Sequence, residues 1–521
     1  MERGNIPRKI RGFRDIDADQ NEIRRRIIEG ATKVYRAYGF EQLDTPVLEY
    51  AEALGKFMPD EDTVDKGVYS FRNPEEEPVL ATDGSELRDK DGKAYMEFAP
   101  LALRYDLTAP LARVYAERLW QDYRRKQVME SNAPLFRRYQ FGPVFRYEIK
   151  LLPGRFREFW QLDFDSVGSN DVAADAEACM ILSDALEEIG LKRGTFVVKV
   201  NNRKVLKGFL FSIGIDTDDK EAAVLRVIDK LDKIGWENLR LELGPGRTDT
   251  SGAEIAGLNL EAQTIDNIIG FIKLATGIAG RKNVLAEIEK AIGSNEVALE
   301  GLAELRKMDA LWEKLGFDEE RIVFDPTLMR GMAYYTGPVF EVESLLKYKD
   351  EKGKERNVGS ICGGGRYDGL VEKLLGMKVP ATGASIGVDR LAEVLRMAGG
   401  EDIKAEGPVL IAYFDDDLQT EYYRLARELR QAGINVEVYC GLFKGFKKMK
   451  KQMAYADAKN CPAVILIGGD EAAKGVATVK NLRLGKEMAS STSDKQEWIA
   501  KVQQEVPLSD LAAYITNMLA D

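Results

Sequence analysis

A chain of 521 residues, 45% apolar and 31% charged, is several times the size of one ordinary domain and composed like a folded globular protein. No apolar run reaches bilayer-spanning length, and the stretch MERGNIPRKIRGFRDID has no apolar centre between its charges, so neither a membrane span nor a secretory leader is expected and a cytoplasmic location is. The chain contains no histidine, which removes Ser-His-Asp triads, Cys-His pairs and HExxH zinc sites, while its four cysteines are far apart and form no CxxC. Catalysis is left to Arg and Lys charge, to carboxylates and to Mg²⁺ carried by a nucleotide, with no resident metal site expected. A net charge of −11 argues against a general nucleic-acid coat but leaves room for local basic surfaces.

In chain order, Ile23, Ile27, Ile28, Ala31, Val34, Tyr35 and Tyr38 recur at helical spacing, and Gly39 stands where a left-handed cap is needed. FEQLDTPVLEY then reads as a strand, with Pro46 suited to an edge or interface. Between Leu101 and Gly168 the runs LRYDLTAP, YQFGPVFRYE and REFWQLDFDSVG predict an antiparallel sheet carrying charge on one face. A helix is expected over 171–189, a strand over 195–200, and an almost strand-free helical insertion over 203–320. Strands return at 321–324, 338–343 and 384–388, interrupted by Gly363, Gly364 and Gly365. A linker near 396–408 precedes alternating strands and helices, the pattern of a small α/β domain with a parallel or mixed sheet.

Five clusters carry chemistry. From Phe145 to Asp165, Arg146, Arg155 and Arg157 surround a turn, and Gln161, Asp163 and Asp165 share one strand face. Such guanidiniums grip phosphates, and such carboxylates suit an amine or Mg²⁺, although a salt-bridged surface hairpin has the same composition. In LRYDLTAP, Asp106 and Thr108 would share a strand face and meet an ammonium group, or else merely be solvated and capping. LMRGMAYYTGPVFEV places Arg330 beside a glycine and a tyrosine pair, Tyr334 and Tyr335. The glycine run in SICGGGRYDGL suits a backbone lying against a flat ligand, and Arg390 in GASIGVDRL should open a helix and reach toward phosphates. Lastly, residues 441–460 hold six lysines against one aspartate, either an RNA-facing or a solvated helix.

Taken together and in this order, these segments resemble the histidyl-tRNA synthetases, a class II aminoacyl-tRNA synthetase family, over nearly the whole chain. RGFRDI at 11–16 is similar to the family's N-terminal signature, the helix up to Pro46 to motif 1, Phe145–Asp165 to motif 2 and GASIGVDRL to motif 3. RGMAYYTG and GGGRYDG resemble its two histidine-specific motifs. The resemblance implies an α+β catalytic domain, an antiparallel sheet flanked by helices, in two parts (1–202 and 321–400) around a helical insertion (203–320), then an α/β anticodon-binding domain (408–521). It implies ATP-dependent ligation of histidine to tRNA(His) through a histidyl-adenylate, with Mg²⁺, in a homodimer. Arg146 and Arg155 would bind ATP, Arg390 its γ-phosphate end, and Arg330 would act as the catalytic arginine at the α-phosphate. Asp106, Thr108, Gln161, Asp165, Tyr334 and Tyr335 would line the histidine pocket, with Asp165 on the imidazole and Asp106 and Thr108 on the α-amino group. Phe13 and Ala333 depart from the common pattern, and the turn IKLLPG differs from that of many bacterial members. A non-catalytic paralogue, such as a regulatory subunit of histidine biosynthesis, typically lacks the C-terminal domain, which this chain keeps.

Overall fold

The computed structural model describes residues 8–55, 67–80, 85–126, 134–148, 156–249, 252–328, 335–349, 353, 355–369, 371–399, 404–488 and 501–520. Two compact units emerge, Met1–Ile16 with Ile23–Asp402 and Asp17–Glu22 with Ile403–Asp521.

The helix predicted after Asn21 is α1 (Ala18–Ala37), which buries Ile23, Ile27, Ala31 and Tyr35, one residue per turn. Gly39 at φ 82° ends it, its N–H donating to the Arg36 carbonyl at 3.0 Å, a conformation that a side chain would strain. FEQLDTPVLEY is not one strand. It splits into β1 (Glu41–Gln42) and a segment Leu48–Tyr50 that joins a separate three-stranded sheet, and Pro46 lies between them. LRYDLTAP is likewise divided: the strand Leu101–Leu103 ends, and α2 (Thr108–Lys126) begins.

One eight-stranded sheet organises the larger unit. In chain order its strands are β1, β2 (Phe136–Phe145), β3 (Glu158–Val167), β4 (Phe196–Asn202), β5 (Ile322–Phe324), β6 (Pro338–Lys349), β7 (Glu355–Arg366) and β8 (Ala381–Gly387). Their spatial order is β1-β2-β3-β8-β7-β6-β4-β5. The inner six are antiparallel as predicted, whereas β1 pairs parallel with β2 and β5 parallel with β4, so the sheet is mixed at both edges. The glycine run does not interrupt a strand. It lies inside β7, whose flanking ladders with β6 and β8 supply the order that the glycines themselves lack.

The helix α3 (Ala173–Ile189) is buried on most sides and stops at Gly190, φ 114°. The described residues of 203–315 carry six helices and one short hairpin, Gly246–Thr248 with Glu254–Ala256, within the same compact unit. Their last helix, Glu296–Leu315, returns to α3, where the buried Trp312 indole donates to the Ala176 carbonyl at 3.0 Å. After β8 comes α4 (Val388–Gly399).

The second unit contains β9 (Val409–Ile411), β10 (Val436–Val438), β11 (Ala463–Leu466), β12 (Val476–Asn481) and β13 (Gln503–Pro507) in the order β10-β9-β11-β12-β13. The first three are parallel and the last two antiparallel, the mixed α/β sheet expected. Sequence reading stopped at VATVKNL and missed both β13 and the terminal helix Leu511–Ala520. Helix Gln419–Gln431 covers this core with Tyr422, Leu425, Ala426 and Leu429.

Candidate active site

The pleat of β3 sends Leu162 and Phe164 to one face of the sheet and Gln161, Asp163 and Asp165 to the other. Register extends the second face across the strands. Arg138 and Gln140 of β2 stand opposite Asp165 and Asp163, and Gly383, Ser385 and Gly387 of β8 stand opposite Asp165, Asp163 and Gln161. Beyond them on β7, Gly365 pairs with Gly383 and Gly363 with Ser385. Polar side chains therefore stand around a glycine floor. Two of those glycines are required by close approach: a Cβ on Gly383 would lie 2.2 Å from Asp165 Oδ1, and one on Gly365 2.8 Å from the Tyr335 ring.

Arg138, fully buried, holds the wall of this site. Its Nη2 lies 2.8 Å from Asp165 Oδ2 and donates to the Leu107 carbonyl at 2.8 Å. The Tyr367 hydroxyl donates to Asp165 Oδ1. Burial raises the Asp165 carboxyl above its usual range, against the pull of Arg138. Burial pushes Asp163 up to about 7, again opposed by Arg138 and reinforced by the neighbouring Asp165. Tyr367 is itself fixed from behind: the adjacent Arg366 donates to Asp175 at 3.0 Å and to the Ser169 and Asp171 carbonyls at 2.9 and 3.2 Å.

Gln161 and Asp165 thus meet as expected, and the Tyr335 ring lies beside Gly365 on the same side. Asp106 acts electrostatically on both Asp163 and Asp165. The pairing of Asp106 and Thr108 on one strand face is overturned, because Thr108 opens α2 and Asp106 Oδ1 accepts the Thr108 and Ala109 N–H groups at 3.1 and 2.9 Å. The helix start takes that oxygen. Arg155, Arg330 and Tyr334, together with Ala333 and the turn IKLLPG, lie outside the described residues.

Arg146 ends the hairpin with its guanidinium between aromatic rings, 4.4 Å from the Tyr105 centroid and 5.1 Å from Phe159, and Nε donating to the Tyr105 carbonyl at 3.2 Å. Arg157 turns away, donating to the Glu148 and Arg11 carbonyls. Arg390 opens α4 as predicted, donates to the Ser360 carbonyl at 2.6 Å and lines a cavity of about 500 Å³ with Lys199, Glu341 and Glu343. The RGFRDI segment fastens this corner: Arg14 pairs with Asp389, and Asp389 accepts the Trp160 N–H at 2.7 Å, joining α4 to β3. Phe13 packs edge-on against Tyr69, ring centroids 6.0 Å apart. Among the described residues, no three Cys, Asp or Glu side chains gather in a way that would hold a metal ion.

The sequence does not single out Arg138, Tyr367 or Ser385, and it places Asp163 only among the carboxylates suited to an amine or Mg²⁺, outside the histidine pocket. Arg138 and Gln140 are legible as polar residues two positions apart, and so on one face, in FRRYQFGPVF, although the charged Arg137 between Phe136 and Arg138 blurs the alternation. Tyr367 carried no such signal, because its approach to Asp165 depends on where β7 ends.

Residues 91–391 match the family described as Histidyl-tRNA synthetase, and residues 408–518 the Anticodon binding domain. The histidine-tRNA ligase of Ruegeria sp. is 43% identical over 98% of this chain and 95% of its own, and that of Paracoccus denitrificans 43% identical over 98% and 97%. Among solved structures, the histidyl-tRNA synthetase of Nostoc sp. shares 28% identity at a TM-score of 0.68, covering 98% of this chain and 99% of that one. The chain belongs to the histidyl-tRNA synthetase family, the class II enzymes with an α+β catalytic region and a C-terminal α/β anticodon-binding domain.

Proposed function

We propose that this synthetase assembles its active centre on the polar face of the eight-stranded sheet, with histidine over Gln161 and Asp165 and ATP toward Arg146 and Arg390. The reaction is ligation of histidine to tRNA(His) at the expense of ATP, through a histidyl-adenylate. The histidine carboxylate attacks the α-phosphate and pyrophosphate leaves. A ribose hydroxyl of the terminal tRNA adenosine then attacks the activated carbonyl and releases AMP.

The observation that carries the placement is the buried carboxylate of Asp165 fixed by Arg138 and Tyr367. An anchored carboxylate accepts from an imidazole N–H more strongly than a mobile one, since its orientation is fixed before binding. Tyr335 and Tyr334 wall the ring, and Asp106 and Thr108 complete the pocket from the start of α2. Arg146, flattened between Tyr105 and Phe159, is presented as a fork for the α-phosphate, and Arg155 adds a second ATP contact. Arg390 takes the γ-phosphate end, where Mg²⁺ arrives with the nucleotide, and Arg330 neutralises charge growing on the α-phosphate in the transition state. No proton need pass through a protein imidazole.

The domain division proposed is a catalytic part at 1–202 and 321–400, an insertion at 203–320 and an anticodon-binding domain at 408–521. In the last, Leu442 and Phe443 are exposed beside Lys444 and Lys451, a surface suited to tRNA. Exposed Leu48, Tyr50 and Phe71 on the three-stranded sheet before α2, with exposed Tyr95 and Met96 nearby in the chain, support a homodimer closing there. No helix among the described residues is long and apolar enough to cross a membrane, which is compatible with a cytoplasmic site of action.

Histidine-dependent ATP-pyrophosphate exchange tests the placement. Asp165→Asn is expected to lower kcat/KM for histidine by about a hundredfold while leaving the KM for ATP within about twofold. An unchanged kcat/KM removes Asp165 from the pocket.

A further inference from the structure

At the end of β4, three consecutive residues each hold another part of the larger unit. Asn201, 2% exposed, stands in one cross-strand row with Val339 of β6, Gly365 of β7, Gly383 of β8 and Asp165 of β3, so its side chain belongs to the polar face of the sheet. Its amide is spent on backbone. Nδ2 donates to the Leu328 carbonyl at 3.0 Å and to the Pro326 carbonyl at 3.4 Å, while Oδ1 accepts the Asn202 N–H at 2.8 Å. Asn202, on the opposite face, donates to the Gly301 carbonyl and to Glu304 at 3.3 and 2.7 Å, both in the helix Glu296–Leu315. The Arg203 N–H donates to the Gly337 carbonyl at 2.9 Å.

Leu328 and Gly337 bracket the stretch of sequence that carries Arg330, Tyr334 and Tyr335. Asn201 and Arg203 therefore grip both ends of that stretch from one corner of the sheet. A second set of bonds shapes the entry. The Asp325 N–H donates to the Val200 carbonyl at 2.9 Å, Asp325 Oδ2 lies 2.9 Å from Lys199 Nζ, and Oδ1 accepts the Thr327 N–H and hydroxyl at 2.9 and 2.6 Å. Pro326 and Leu328 are buried, where a backbone carbonyl needs a donor, and the Asn201 amide supplies one to each. Arg330 follows Leu328 by two residues, a reach of about 7 Å at most, so the position of Leu328 bounds that of the arginine.

We infer that Asn201 is a positioning residue for adenylate formation: it fixes the entry to this stretch so that Arg330 meets the α-phosphate in one place, and itself touches neither histidine nor ATP. A charge that stabilises a transition state contributes through its location, and a misplacement of about 1 Å costs on the order of a hundredfold in rate. Asparagine suits the task, with two N–H donors for the carbonyls of the entry, an oxygen for the next N–H of its own chain, and no charge added to the site. The assignment rests on the role of Arg330 proposed above.

The test is a double-mutant cycle read by histidine-dependent ATP-pyrophosphate exchange with the full chain: parent, Asn201→Ala, Arg330→Ala and the pair, each checked by thermal melting. In the parent, Asn201→Ala is expected to lower kcat by about ten- to a hundredfold and to leave the KM for histidine and for ATP within about threefold. In the Arg330→Ala background the same change should lower kcat by less than about twofold, because the charge it positions is gone. Asn201→Asp, which keeps the shape but loses the N–H donors, should repeat both results and decides the matter where the alanine variant does not fold. Three results overturn the inference: equal losses of kcat in the two backgrounds, a rise in either KM as large as the fall in kcat, or an unchanged kcat in the parent. A residue that merely holds the fold together would weaken both backgrounds alike. If Arg330→Ala alone leaves kcat unchanged, the role of Arg330 fails first, and its positioning by Asn201 falls with it.

Discussion

Asp163 and Phe164 are consecutive in β3, and both are almost wholly buried, at 3% and 1% exposure. On the Phe164 side, Tyr35 of α1 lies 4.9 Å away and Phe40 5.5 Å away, ring to ring, a packed aromatic contact that includes the buried Tyr35 hydroxyl. On the Asp163 side the same degree of burial encloses carboxyls, an arginine and oxygens without partners. Equal burial therefore means opposite things for stability. One face gains free energy by dispersion and exclusion of water, whereas the other gives some of it up to hold charge out of water until a ligand arrives.

Truncation separates the faces most sharply. Phe164→Ala should cost about 3–5 kcal/mol of unfolding free energy, read by denaturant melts, while the protein that remains folded keeps its KM for histidine. A rise in that KM matching the loss of stability would show that the faces are not independent.

The next effect has the opposite sign. Because the Asp163 carboxyl is raised to about 7 in the folded chain, from about 4 when unfolded, the native state holds the extra proton between those limits. Stability therefore falls as pH rises from about 4 to 7 and levels off above. Asp163→Asn removes that loss, so the variant should exceed the parent at pH 8, by roughly one to a few kcal/mol, and converge toward it near pH 4. Asp175, raised by burial to about 6, slopes in the same sense in both proteins and cancels from the difference. A parent-variant difference that is flat with pH would refute the buried-charge account.

The smallest contrast compares neighbouring glycines. A Cβ on Gly364 would lie 2.2 Å from the Gly383 carbonyl oxygen and 2.6 Å from the Phe340 ring, so Gly364→Ala should destabilise by about 1–3 kcal/mol. Gly363→Ala, opening onto free space, should leave thermal stability within about 0.5 kcal/mol and alter histidine binding alone. Equal melting losses for the two would remove the distinction.

The sequence was most readable where one periodicity decided the structure. Alternation in REFWQLDFDSVG placed Gln161 and Asp165 together, and four-residue spacing gave α1. It was least readable where two rules compete. DLTAP has the residues of a helix start, an Asp to accept N–H groups and a proline in the first turn, which needs no donor there, yet the flanking leucines suggest a strand. The glycine run shows the complementary limit: intrinsically poor strand formers become part of β7 because β6 and β8 pair with it on both sides, information that lies far away in the chain. Tyr367 and Arg138 belong to the same category, since the partners that give them a role come from other strands.

The polar side chains described around the glycine floor are those of Arg, Asp, Gln, Ser and Tyr, in a chain with no histidine at all. For magnetic resonance this makes the protein a dark background in the region where imidazole signals fall. Any ring-nitrogen or ring-carbon resonance seen with isotope-labelled histidine belongs to the ligand, free or bound. The tautomer of the substrate ring and its protonation inside the site can then be followed across pH without deleting a single residue of the enzyme.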